Sequence, residues 1–290
     1  MYCAAITPTS SAALLEYRSE LKPLPIGLAL SGGTAKSVLH VGVIRALREA
    51  QLPISCIAGT SGGSIVAAIT ASGADTAHME EIAAGLSWRK LARIKLSRLG
   101  FVSSSPIEQF IEKVLPGVHF EHLQIPCAVT ATDLMSGKAA AFTRGPVARA
   151  IRASCSIPQI YLPVQIDGRP YVDGGLAQYL PVETVRQLGG QFTIAVHLGP
   201  ACEAYQPPEN LLQLIMQVTN MVAKQNTKDS MARADVVIHP NVDDYSSFDF
   251  RNTTELIDLG YETARAQVPR IEQAWRRANR PWRRLLIRNR

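Results

Sequence analysis

Gly59-Thr60-Ser61-Gly62-Gly63 fits G-x-S-x-G, the pattern of a serine at the apex of a sharp strand-to-helix turn. The flanking glycines let such a turn close and leave the Ser61 hydroxyl accessible as a nucleophile. The same five residues also read as a glycine-rich turn with a capping serine. An earlier turn, Ser31-Gly32-Gly33-Thr34-Ala35-Lys36, can converge successive backbone N–H groups on an anion, helped by the positive end of the helix that follows. It has neither the Gly-Lys-Ser/Thr of a P-loop nor the spacing G-x-G-x-x-G. A phosphate cradle and an oxyanion hole both remain, the latter being the better partner for a nucleophile one strand away. Asp173-Gly174-Gly175 puts an acid at a strand end where two glycines allow another backbone to approach; alone, it reads as a turn aspartate.

A histidine base is less well placed. In the order serine, acid, histidine, His239 could complete a triad, but only two strand-like runs precede Ser61, too few for the usual hydrolase sheet. His40 reads instead as a helix-packing residue and His239 as a polar strand-end residue. No H-x-x-x-H or H-x-H occurs, and the five cysteines (Cys3, Cys56, Cys127, Cys155 and Cys202) contain no C-x-x-C. Neither a metal site, a disulfide framework nor a cofactor is expected.

The elements that must carry these turns alternate. Ile26–Leu30 is a buried strand ending at Ser31, residues 38–50 follow a helical period, 54–58 form a second strand, and 64–72 a buried helix. Ser105-Pro106-Ile107-Glu108 reads as a helix start with a capping box. Residues 125–132 form a strand, and Asp167-Gly168-Arg169 joins 164–166 to 170–172 as a hairpin. Helix 181–188, strand 192–197, a long helix from about Pro208, strand 235–239 and helix 253–267 complete the pass. Strand–helix alternation from the start favours α/β with a largely parallel sheet.

The chain has 290 residues, 47% hydrophobic and 19% charged, enough apolar material for a buried core. Disorder, collagen and coiled coil are excluded, and the longest apolar runs, 65–71 and 125–131, are far below the ~20 residues of a membrane span. The first charge is Glu16 and the apolar run at 12–15 is short, so no signal peptide is read and a cytoplasmic location is expected. The net charge of +6 is local: residues 270–290 carry eight arginines against Glu272, and residues 89–98 carry five cations and no acid. Residues 88–99 and 275–290 interleave these cations with Trp, Leu and Ile, the pattern of contact with an anionic membrane or of a solvated basic face. No nucleic-acid motif accompanies the charge.

Taken in order, residues 26–47 (IGLALSGGTAKSVLHVGVIRAL), 59–63 (GTSGG), 132–137 (TDLMSG), 150–158 (AIRASCSIP) and 166–182 (IDGRPYVDGGLAQYLPV) resemble the bacterial patatin-like phospholipase family. The resemblance runs from about Pro25 to Glu262. It implies a three-layer α/β/α fold with a central mostly parallel sheet. It also implies a Ser–Asp dyad of Ser61 as nucleophile and Asp173 as general base, with the Gly32, Gly33 and Thr34 amides as oxyanion hole. The expected activity is serine lipid acyl hydrolysis on a phospholipid or lysophospholipid; acyl transfer by the same dyad, or a degenerate lipid-binding module, are the alternatives. The expected organisation is a lead-in over 1–23, a hydrolase domain over 24–268 and a basic tail over 269–290. The chain departs from the family at Thr34 and Ser37, where glycines are usual, and at Gln178-Tyr179, where Asn-Pro is usual. A positive φ at Thr34 or Ser37 would strain the loop by about 1 kcal/mol or more.

Overall fold

Runs that are apolar on every residue have to be covered on both faces, and here they become the middle of a sheet. The computed structural model describes residues 22–87, 93–97, 100–199 and 207–280. In chain order its strands are β1 (Ile26–Leu30), β2 (Ile54–Thr60), β3 (Arg93–Ser97), β4 (Gly100–Ser103), β5 (Cys127–Asp133), β6 (Ala139–Phe142), β7 (Val164–Ile166), β8 (Arg169–Asp173), β9 (Phe192–Val196) and β10 (Val236–Ile238). The helices are α1 (Leu39–Glu49), α2 (Gly62–Ala71), α3 (Thr76–Ala84), α4 (Ser105–Val114), α5 (Val147–Ser154), α6 (Gly175–Gln178), α7 (Val182–Gln187), α8 (Leu211–Arg233) and α9 (Thr253–Ala278). The main sheet runs β10-β9-β1-β2-β5 in parallel, with β8 and β6 antiparallel to β5 and β7 antiparallel to β8.

Strand alternation sorts the two faces by size. Leu28, Leu30, Ile57, Val129, Ile194 and Val196 join the large cluster with α1, α2 and α9. Between them, Ala29, Cys56, Ala58, Ala128 and Ala195 face the other way, where their small side chains let Leu180, Val182 and Val185 pack close to the sheet. The result is a three-layer α/β/α fold with a mostly parallel central sheet.

Several elements differ from the sequence reading. The helix expected from 38 begins as a 3₁₀ turn at Thr34–Val38 before α1. The expected hairpin forms, but its turn is Asp167-Gly168 alone, with φ of 49° and 76°, and Arg169 already pairs with Ile166 in β8. The capping box at Ser105 does not form: Ser104 is the cap residue, without a side-chain cap bond, and Glu108 pairs with Arg152 at 2.8 Å. Helices α3 and α5, together with the β3–β4 hairpin, were not expected. Helix α9 continues past 267 to Ala278, with Ile271 fully buried and Trp275 Nε1 donating to the Leu24 carbonyl at 2.9 Å. The start of the stretch read as a basic tail is therefore packed helix. Most of the basic run at 88–99, the lead-in over 1–21 and the last ten residues lie outside the described residues. Among the described residues, no helix is long and apolar enough to cross a membrane.

Candidate active site

Sheet register brings Ser61 and Asp173 together. β6 takes one edge of β5 over residues 129–132, so β2 and β8 must share the other edge. β2 runs parallel to β5 and stops with Thr60 opposite Thr130; β8 runs antiparallel and stops with Asp173 opposite Ala131. The two strands meet end to end at adjacent residues of β5, and each carries its candidate residue at or just beyond the junction. The fit leaves no room for a side chain at Gly174, whose Cβ would stand 2.3 Å from the Thr130 carbonyl oxygen.

At the elbow, Ser61 has φ 51° and ψ −128°, outside the comfortable region for a residue with a Cβ. Polar contacts over-determine it. Ser61 N–H donates to Ser154 Oγ at 2.8 Å, Ser154 Oγ donates to the Thr130 carbonyl at 2.6 Å, and Ser64 Oγ donates to the Ser61 carbonyl at 2.6 Å. Ser61 is the residue just before α2, whose first turn starts at Gly62.

Asp173 is 3% exposed. Its Oδ1 accepts the Gly175 N–H at 2.8 Å, while Oδ2 is buried without a hydrogen-bond partner. Burial pushes its pKa up to about 6, against the opposing pull of the Gly175 N–H and of the nearby Ser61 hydroxyl. The result is a carboxylate close to Ser61, with no cation beside it among the described residues and an affinity for a proton well above that of a free aspartate. No hydrogen bond joins a histidine to Ser61 among the described residues. His40, fully buried and held near pKa 4 by burial, has Nε2 3.0 Å from the Ser31 carbonyl, and His239 Nε2 lies 3.0 Å from the Gly199 carbonyl.

The first glycine loop lies alongside: a Cβ on Gly32 would come 3.5 Å from that of Ser61. Of its three expected amide donors, Gly32 is already engaged, since its N–H donates to the Tyr179 carbonyl at 3.3 Å. The N–H groups of Gly33 and Thr34 make no hydrogen bond to another element among the described residues. Thr34 has φ 53°, the strained conformation foreseen for it, whereas Ser37 sits in the 3₁₀ turn without a positive φ. Tyr179, one of the departures from the family pattern, clasps the loop from both sides: besides the carbonyl contact, its hydroxyl donates to the Gly32 carbonyl at 2.8 Å. Asn226 on α8 supports it, accepting the Tyr179 N–H at 3.1 Å. Sequence reasoning missed Ser154, Tyr179 and Asn226 as supports, and only the departure at Gln178-Tyr179 drew notice to one of them.

A cavity opens on Ser61 and Thr34. Its walls are largely apolar, including Val38, Ile65, Val66, Ile107, Ile157 and Phe250. The Cys155 thiol at its edge is pushed well above its ordinary pKa by burial, so it enters the site as a neutral group. No group of three or more His, Cys, Asp or Glu among the described residues is arranged to hold a metal ion.

Comparison with known proteins places the chain in a family. The chain is 37% identical over 202 residues to an uncharacterized NTE family protein of Mycobacterium tuberculosis, covering 66% of this chain and 55% of that protein. It is 25% identical over 284 residues to the lysophospholipase nte1 of Aspergillus niger, covering 86% of this chain and 18% of that protein. The chain thus spans about half the length of the mycobacterial relative and less of the fungal one. The fold resembles VipD from Legionella pneumophila, with a TM-score of 0.57 at 15% identity over 86% of this chain and 67% of VipD. Residues 28–186, which hold the glycine loop, Ser61, Asp173 and Tyr179, match the patatin-like phospholipase family model, and the chain belongs to that family.

Proposed function

We propose that this protein is a serine lipid acyl hydrolase of the phospholipase A or lysophospholipase type, working through a dyad of Ser61 and Asp173. The observation that carries the reading is the Asp173 carboxylate: buried, without a cation or a partner for one oxygen among the described residues, and close to a strained serine beside an apolar cavity. Relatives named phospholipase and lysophospholipase support the substrate class.

In this mechanism Ser61 Oγ attacks the ester carbonyl while Asp173 accepts its proton. The carbonyl electron pair moves to oxygen, and the N–H groups of Gly33 and Thr34 stabilise the oxyanion. Gly32, its own N–H engaged, positions the loop. As the tetrahedral centre collapses, the alcohol leaves with the proton from Asp173, and an acyl-serine remains. Water then attacks, giving its proton to Asp173, and the second collapse releases the fatty acid and returns the proton to Ser61. A preorganised oxyanion donor contributes about 3–4 kcal/mol and a positioned base about 10²–10⁴ in rate. A carboxylate base near pKa 6 suits an alkoxide leaving group better than an amide, which fits an ester substrate.

Substrate access through an anionic membrane surface belongs to the same proposal. Leu211, Leu214, Val218 and Met221 stand exposed at helical spacing on α8, and the basic residues from 270 onward add cations. Binding to anionic vesicles that salt weakens is the expected result, and equal binding to neutral vesicles would contradict the electrostatic part.

The test is labelling with a fluorophosphonate followed by product analysis. Labelling at Ser61 with release of fatty acid in water supports hydrolysis. Release only on addition of an acceptor alcohol would replace it with acyl transfer, and absence of labelling would leave a lipid-binding module.

A further inference from the structure

A serine or threonine in a helical turn commonly returns its hydroxyl to the carbonyl three or four residues back, as Ser64, Thr70, Ser72 and Thr227 do here. Ser37, in the 3₁₀ turn Thr34–Val38, does not. It is 3% exposed, and its Oγ is buried without a hydrogen-bond partner among the described residues. Such hydroxyls are rare, because each forgoes its bonds to water and gains nothing in exchange.

The Ser37 hydroxyl lies in the seam between the glycine loop and the elbow. A Cβ on Gly33 would stand 3.1 Å from Ser37 Oγ, and one on Gly62 2.3 Å from it. Ser37 also lines the cavity that opens on Ser61, together with Thr34 and Gly62. The turn that carries it is pinned from behind. Ala35 N–H donates to the Ser247 carbonyl at 3.0 Å, and Lys36 Nζ donates to the Val242 carbonyl at 2.8 Å. With the Gly32 N–H engaged by Tyr179, the N–H groups of Gly33 and Thr34 are left for an oxyanion that can accept a further donor.

We propose that the Ser37 hydroxyl is that further donor, a catalytic residue that bonds the oxyanion formed at Ser61 beside the Gly33 and Thr34 amides. The proposal rests on the hydrolase reading of Ser61. A hydroxyl turns about its Cβ–Oγ bond, so it can meet the oxyanion without movement of the backbone. Its hydrogen bond is absent in the resting protein and forms as charge develops on the substrate oxygen. Binding energy realised only at that stage enters kcat rather than KM. The glycine usual in the family at this position has no hydroxyl to offer, so this donor belongs to the departure at Ser37.

The test is Ser37→Ala in the full chain, assayed for hydrolysis of a p-nitrophenyl acyl ester. The variant should lose about tenfold or more in kcat with KM within about threefold of wild type. Its melting temperature should be equal or higher, because an unsatisfied buried hydroxyl has been removed. A trifluoromethyl ketone, to whose carbonyl carbon Ser61 Oγ adds reversibly to give a tetrahedral oxyanion, should bind the variant more weakly by about the factor lost in kcat/KM. If the alanine variant does not fold, Ser37→Gly, which also removes the hydroxyl, is read in the same way. Unchanged kcat and unchanged ketone affinity overturn the proposal and leave the hydroxyl to an ordered water. A fall in kcat that comes with a lower melting temperature and undiminished ketone affinity also overturns it, since that pattern marks a structural serine. Fluorophosphonate labelling separates the two readings. A labelled wild type with an unaffected Ser37→Ala variant refutes the donor alone, whereas a wild type that is never labelled refutes the hydrolase reading and the donor with it.

Discussion

Asp133 and Asp173 end two antiparallel neighbours, β5 and β8, and both are largely buried, yet their surroundings give them opposite chemistry. Partial burial by itself would raise the Asp133 pKa, but the Arg169 guanidinium, the Met135 N–H and the Ser136 hydroxyl outweigh it, and the net shift is downward. Its oxygens are used in closing the turn that follows β5. Among the described residues Asp173 has one backbone donor and no cation, and burial wins. Burial makes a carboxylate a base only where counter-charge is withheld; with an arginine supplied, the same acid becomes a structural clamp.

The sharpest way to break this contrast begins with the nucleophile. Ser61→Ala should abolish fluorophosphonate labelling and lower ester turnover by about 10⁴-fold or more in a fatty-acid release assay. Asp173→Asn should lower turnover by about 10²–10⁴-fold. Its stability should move the other way. A raised folded pKa means that the folded state binds the proton more tightly, so ionising Asp173 costs stability as pH rises from about 4 to about 6, and the full cost persists above. Removing that charge should therefore stabilise the protein by about 2–3 kcal/mol at pH 8, read as a higher melting temperature. Asp133→Asn should do the reverse: a lower melting temperature at pH 7 with turnover within a few-fold of wild type. Because the Asp133 pKa is depressed, its contribution is present at neutral pH and fades as pH falls below the ordinary aspartate range, so the two proteins should converge in melting temperature in acid. The smallest effect belongs to Thr34→Gly, which relieves a positive φ and should raise stability by about 1 kcal/mol, checked by denaturant titration.

What the sequence made legible follows from how local each signal is. The turn at Ser61 could be read because an apolar strand, a glycine pair and an apolar helix are contiguous there, and the Asp167-Gly168 hairpin because both turn residues favour a positive φ. Helix α5 was invisible because eight residues give barely two turns of periodicity, although its last residue, Ser154, holds the Ser61 amide. The meeting of Ser61 and Asp173 depends on two strands sharing one edge of β5, a long-range fact that no local pattern carries; only the ordered resemblance to a family suggested it. The engagement of Gly32 by Tyr179 joins residues 147 positions apart, and it appears in neither turn's own sequence.

The pH dependence of fluorophosphonate labelling at Ser61, compared between wild type and Asp173→Asn, tests the central claim most directly. With Asp173 as base, the wild-type rate should rise about tenfold per pH unit at low pH and level off above about 6, while the asparagine variant reacts slowly with no inflection there. A wild-type rate that is flat from pH 4 to 8 on the scale of the aspartate titration, or an inflection near 6 that survives in Asp173→Asn, would contradict it.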